Sequence, residues 1–106
     1  MYKISFYAPL DHVEQIKSAM FAAGAGKVGE YSCCAWQVLG EGQFMPLEKS
    51  HAYIGKPHQL EKVAEYKVEM VCEDEHIKAA IAALKQAHPY EEPAYQVIKL
   101  EVDPAG

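Results

Sequence analysis

The hydrophobic period of this chain switches twice from two residues to about 3.6 and back, and few folds accept that order. Tyr2, Ile4, Phe6 and Ala8 alternate with Lys3, Ser5 and Tyr7, the pattern of a half-buried strand, and Pro9 ends it. Val13, Ile16, Met20 and Ala23 then share one helical face. Asp11 and Glu14 stand before them at the spacing of a capping box, and Gly24 is placed to stop the helix in a left-handed conformation. The second round runs the same way. Tyr66, Val68, Met70 and Cys72 alternate with Glu65, Lys67, Glu69 and Val71. Three acids, Glu73 to Glu75, sit where a helix dipole favours them, and Ile77, Ala80, Ile81 and Leu84 make the buried stripe of a second helix. Tyr95 to Val102 reads as the last strand, with Asp103 to Gly106 expected to fray.

Between the two rounds lies an apolar run, Tyr31 to Leu39, that predicts another strand. Both of its faces are largely apolar, whereas a strand covered on one side alternates more cleanly. A second subunit, or a long loop folded over the sheet, is expected to cover the extra face. Gly40-Glu41-Gly42 predicts a tight turn, with Gln43-Phe44-Met45 as a short returning strand. Pro46 to Gln59 has no period and contains Gly55 and Pro57, so it reads as a long loop, functional or used in packing. The order is strand, helix, strand with a hairpin extension, strand, helix, strand. That predicts an α+β, ferredoxin-like βαββαβ unit: an antiparallel sheet with two helices on one face. At 106 residues the chain is expected to be a single domain, 1–106.

A net charge of -5, with 10 scattered basic residues, argues against nucleic acid as a partner, because phosphate backbones need clustered Lys and Arg. No apolar run approaches the roughly 18 residues of a membrane span, and Met1 to Phe6 lacks the features of a signal peptide. Three cysteines cannot all pair and none has zinc-finger spacing, which fits a reducing cytoplasm.

Two motifs are chemically loaded. Gly24-Ala25-Gly26-Lys27-Val28-Gly29 is a literal GxGxxG, but it follows a helix and leads into a strand. The dinucleotide fingerprint needs the reverse, so the loop reads as a turn whose backbone N–H groups could still hold a small anion. The second is His88-Pro89-Tyr90-Glu91-Glu92-Pro93, where two prolines push His88 and Glu92 toward extended geometry. His88, Glu91 and Glu92 carry the ligand types a divalent ion accepts. Glu91 and Glu92 in extended chain point apart, so such a site would need a second subunit; otherwise His88 caps the helix and the glutamates bond backbone groups or a neighbour. Cys33 and Cys34, adjacent on a strand, cannot share one tetrahedral ion and read as small core residues, as does Cys72. His51, His58, Lys49 and Lys56 could form an anion- or metal-binding arm in the long loop. Trp36, Tyr31, Tyr53 and Phe44 read as filling for a core or an interface.

Three stretches taken together carry a resemblance: Gly24 to Cys34; Gly40 to Pro46 with Ile54-Gly55-Lys56; and Ala87-His88-Pro89-Tyr90-Glu91-Glu92-Pro93-Ala94-Tyr95. In that order they resemble the domain inserted in the longer members of the Nif-three-like (YqfO-type) family, over almost the whole chain. That domain is similar to the PII signalling proteins and the CutA divalent-ion-tolerance proteins, and the resemblance implies their fold and a homo-trimer. Full-length members surround it with a two-metal core often described as GTP cyclohydrolase-like. None of that core's ligands has a counterpart here, so the resemblance implies the insert standing alone, without its own catalytic site. Gly24, Gly26, Gly29, Tyr31, Cys34, His88, Tyr90, Glu91 and Glu92 are then expected to form an interface or ligand motif, with a small molecule or divalent metal at subunit clefts. The alternatives are a metal-binding or tolerance protein resembling CutA, or the remnant of a metal-dependent hydrolase.

Overall fold

The computed structural model describes residues 1–101. Strand β1 (Tyr2–Pro9) leads to helix α1 (Val13–Ala22), β2 (Trp36–Phe44), β3 (Glu61–Cys72), helix α2 (Ile77–Ala87) and β4 (Tyr95–Lys99). The strands form one antiparallel sheet in the order β2-β3-β1-β4. This is the α+β, βαββαβ arrangement that the switching period predicts.

The register explains the core. Ile4 faces Met70 and Phe6 faces Val68 across β1 and β3, and alternate residues of a strand share a face. All four are buried, together with Val13, Ile16 and Met20 of α1 and Ala80 and Leu84 of α2. Both helices therefore lie on one side of the sheet. Ile77 packs on the edge of this core, while Ile81 of the expected stripe is only half-buried.

Helix α1 ends in a Schellman motif: Ala25 N–H donates to Met20 C=O at 3.1 Å and Gly24 N–H to Phe21 C=O at 3.0 Å. Gly24 supplies the required left-handed residue with φ +108°. The start of α1 corrects the capping-box reading. His12 is the N-cap and no side chain caps it, because the helix begins one residue later than that spacing requires. Asp11 instead contacts the His12 ring at 3.0 Å, and Glu14 pairs with Lys17 at 2.8 Å. The acids before α2 form a 3-10 turn, Asp74–His76, rather than its first turn. Asp74 binds the chain's N-terminal amine and Lys99. Leu100 N–H donates to Met1 C=O at 3.0 Å, so the two ends of the described chain lie side by side.

The middle of the chain differs most from expectation. No turn occurs at Gly40-Glu41-Gly42: β2 runs straight through it, paired residue by residue with β3 from Trp36–Glu69 to Phe44–Glu61. Glycine suits a turn, but it also suits a strand that another group crosses closely. At Gly42 an added Cβ would collide with the Glu65 carboxylate lying over it. Residues 31–35 in turn are not strand. Tyr31 closes a two-residue turn on Val28, with reciprocal N–H···O bonds of 2.9 Å, and Cys33 takes φ +57°. Cys33 is consequently exposed and Cys34 only half-buried; Cys72 alone of the three is core. Strand β4 ends at Lys99, and Val102 to Gly106 lie outside the described residues.

Strand β1 stops at Pro9, opposite Glu65. Beyond that point β2 and β3 continue as a two-stranded arm, which gives the molecule extents of 51 × 26 × 24 Å. Its radius of gyration of 15.0 Å exceeds the ~13 Å of a compact 100-residue domain.

Candidate functional site

The expected motif residues fall at two ends of the sheet. Gly24, Gly26, Gly29, Tyr31 and Cys34 gather near the end of β3, where Gly26 N–H donates to Val71 C=O at 2.8 Å and Cys34 N–H to Gly26 C=O at 2.8 Å. His88, Tyr90, Glu91 and Glu92 lie beside Tyr7, at the other end of β1. Val71 pairs with Lys3, four strand positions from Tyr7 at about 3.3 Å each, so one protomer holds the two groups apart along the sheet.

His88 sits where α2 gives way to extended chain before Pro89, with ψ 134°, and it is 5% exposed. Tyr90 N–H donates to its Nδ1 at 3.1 Å. Nδ1 is therefore the acceptor, and Nε2 donates to Tyr7 C=O at 2.7 Å. Burial holds the imidazole below its ordinary value, the neutral form that this bonding requires. In this arrangement neither ring nitrogen is free for a metal. The Glu91 carboxylate accepts the His51 backbone N–H at 3.1 and 3.3 Å, and so fastens the 46–59 loop to the motif. The loop does not cover Trp36, Val38 or Ile98, which stay 60%, 43% and 51% exposed on the sheet face away from the helices.

Loop, motif and arm enclose a cleft of ≈ 920 Å³. One wall is aromatic: the Tyr90 ring lies 6.0 Å from Phe44 and 6.3 Å from Tyr53, tilted by 51° and 47°. Glu65 of β3 lies at the base over Gly42, and burial raises its carboxyl above the ordinary range. The Tyr90 hydroxyl is buried beside Glu65, and burial together with the Glu65 charge pushes it up to about 12. Sequence reasoning finds Tyr90 and misses Glu65, Phe44 and Tyr53 as members of this cleft. Glu65 reads as one polar position of an alternating strand; the register pairs it with Gly40, and only its side chain reaches over Gly42, two residues along β2. His58 and Lys56 do not line the cleft; Lys49 does. Among the described residues no group of three His, Cys, Asp or Glu side chains is disposed to hold a metal ion.

A four-stranded antiparallel sheet with both helices on one face and a projecting β2–β3 arm defines the CutA/PII-like class. The solved PII-like protein CutA from Nostoc superposes with a TM-score of 0.65 at 16% identity, over 100% of this chain and 86% of that one. At that identity the likeness is one of fold. The chain is homologous to a segment of about 100 residues in GTP cyclohydrolase 1 type 2 (Nif3-related) proteins. It is 45% identical over 100 residues to the GTP cyclohydrolase 1 type 2 homolog of Mycobacterium leprae, covering 94% of this chain and 26% of that protein. The crystal structure of the Bacillus cereus protein related to NIF3 matches with a TM-score of 0.81 and 36% identity, over 94% of this chain and 25% of that one. The chain thus spans about a quarter of the length of these relatives. No family model matches it.

Proposed function

We propose that the chain is an oligomeric, ligand-sensing module of the PII/CutA kind, trimeric and without a catalytic site of its own. One observation carries this reading: Trp36 and Val38, two residues apart on edge strand β2, stand together on the open face of the sheet, 60% and 43% exposed, and the 46–59 loop folds elsewhere. Exposed apolar surface of this sort marks an interface. The free edge of β2 and the projecting arm add unpaired backbone groups that a second copy can meet. A trimer follows the assembly that the resemblance to PII and CutA implies.

Native mass spectrometry of gently purified protein tests the reading: three chains are expected, with any small molecule they retain. A stable monomer at micromolar concentration overturns it. The activity in the relatives' name belongs to proteins of which this chain matches 26%, and the role proposed for this segment is assembly and ligand holding. Metal-loaded protein is expected to leave GTP intact, and calorimetric titration with zinc or copper to be flat. GTP turnover that disappears in His88→Ala would revive the hydrolase alternative. The unit is proposed to act as one domain in the cytoplasm, where its three free thiols stay reduced.

A further inference from the structure

We infer that the cleft between the β2–β3 arm, the 46–59 loop and the Tyr90 segment is a site for a small organic cation, an ammonium carrying an apolar body. This deepens the ligand-sensing half of the reading above and does not depend on the trimer.

Charge is the first argument. The cleft is lined by four carboxylates, Glu41, Glu65, Glu91 and Glu92, against the single ammonium of Lys49. Glu91 is occupied by the His51 backbone, but Glu65 makes no ion pair among the described residues. It lines the cleft over Gly42 beside the Tyr90 hydroxyl, where burial disfavours its ionised form, so an incoming positive charge would supply the countercharge it lacks.

Shape and wall chemistry fix the kind of cation. A dehydrated metal ion needs several oxygen or nitrogen ligands converging within about 2–2.6 Å. No such group exists among the described residues. The volume of ≈ 920 Å³ instead suits a small organic molecule. Phe44, Tyr53 and Tyr90 line one wall without stacking on one another. Aromatic faces beside a carboxylate attract alkylated ammonium groups, which carry little hydration to lose. An anionic ligand would have to approach four carboxylates.

Choline and its uncharged isostere 3,3-dimethyl-1-butanol form a matched probe pair, read by amide chemical shifts in the full chain. Choline, or putrescine as a primary-amine probe, is expected to shift the amides of Gly42, Glu65 and Tyr90 and to saturate at about millimolar concentration or below. The neutral isostere should bind at least about tenfold more weakly. Glu65→Gln and the exposed-ring variant Tyr53→Leu should each weaken the cation by at least about fivefold, with shifts elsewhere unchanged. Failure of both cations to bind, equal binding of the isostere, or tighter binding of benzoate would overturn the assignment. Cation binding by a protein that proves monomeric would leave this inference standing and remove the assembly.

Discussion

His88 fastens three parts of the molecule with two hydrogen bonds: the end of α2, the Tyr7 carbonyl of β1 and the turn at Tyr90. His88→Ala strands a carbonyl and an N–H in a buried place, so it should cost about 3 kcal/mol in urea unfolding. The ring also makes stability depend on pH. Its folded value is depressed below 6.5, so its contribution is complete above pH 6.5 and is lost as the pH falls through the folded value. Glu65 acts in the opposite sense: its carboxyl is raised above 4.5, and protonation on acidification relieves a cost carried at neutral pH. Glu65→Gln should therefore steepen the loss of stability as the pH falls through the raised folded value toward 4.5, measured by urea midpoints at each pH. Gly42→Ala separates shape from stability. The added methyl meets only the flexible end of Glu65, so stability should change by less than about 1 kcal/mol while the carboxylate leaves its place over the strand and cation binding falls.

The elements with a regular period were legible and the irregular ones were not, for reasons visible in their residues. Strand β1, both helices and the inner half of β3 each bury one face against a single core, so their patterns are written in which residues are apolar. The Tyr31 to Leu39 run looked like one strand because its residues are strand formers. Its first half is instead held as loop by the Val28–Tyr31 turn and the Gly26–Cys34 bond. Gly42 carried a true signal that had two meanings, a bend or a close crossing, and only the folded chain decides between them; Gly40 sits in regular strand with open space at its Cβ position. The cleft was legible only through Tyr90, Glu91 and Glu92, since Glu65, Phe44 and Tyr53 come together only in the folded chain. Residues 61–64 of β3 pair with β2 alone, and a two-stranded ribbon is marginal by itself in water. Their amides should be protected from hydrogen exchange in the assembled protein, and should exchange at least about tenfold faster in an interface variant.

At the scale of the whole molecule, an elongated protomer whose edge strand β2 leaves Trp36 and Val38 uncovered is a poor solitary shape. Trp36→Glu places a charge on that apolar edge and should convert the assembly to monomers by light scattering. Its far-ultraviolet circular dichroism should not change, because Trp36 supports nothing beneath the helices. An unchanged assembly mass would place the interface elsewhere. The main-chain bond between Leu100 and Met1 has a wider consequence. A unit whose entrance and exit stand side by side can be spliced into a surface loop of a larger host without prying either fold apart, and its own ends can be joined and reopened at another loop. Circular permutants opened within the 46–59 loop should thus fold to the same sheet, a freedom that a chain leaving from the far side would not have.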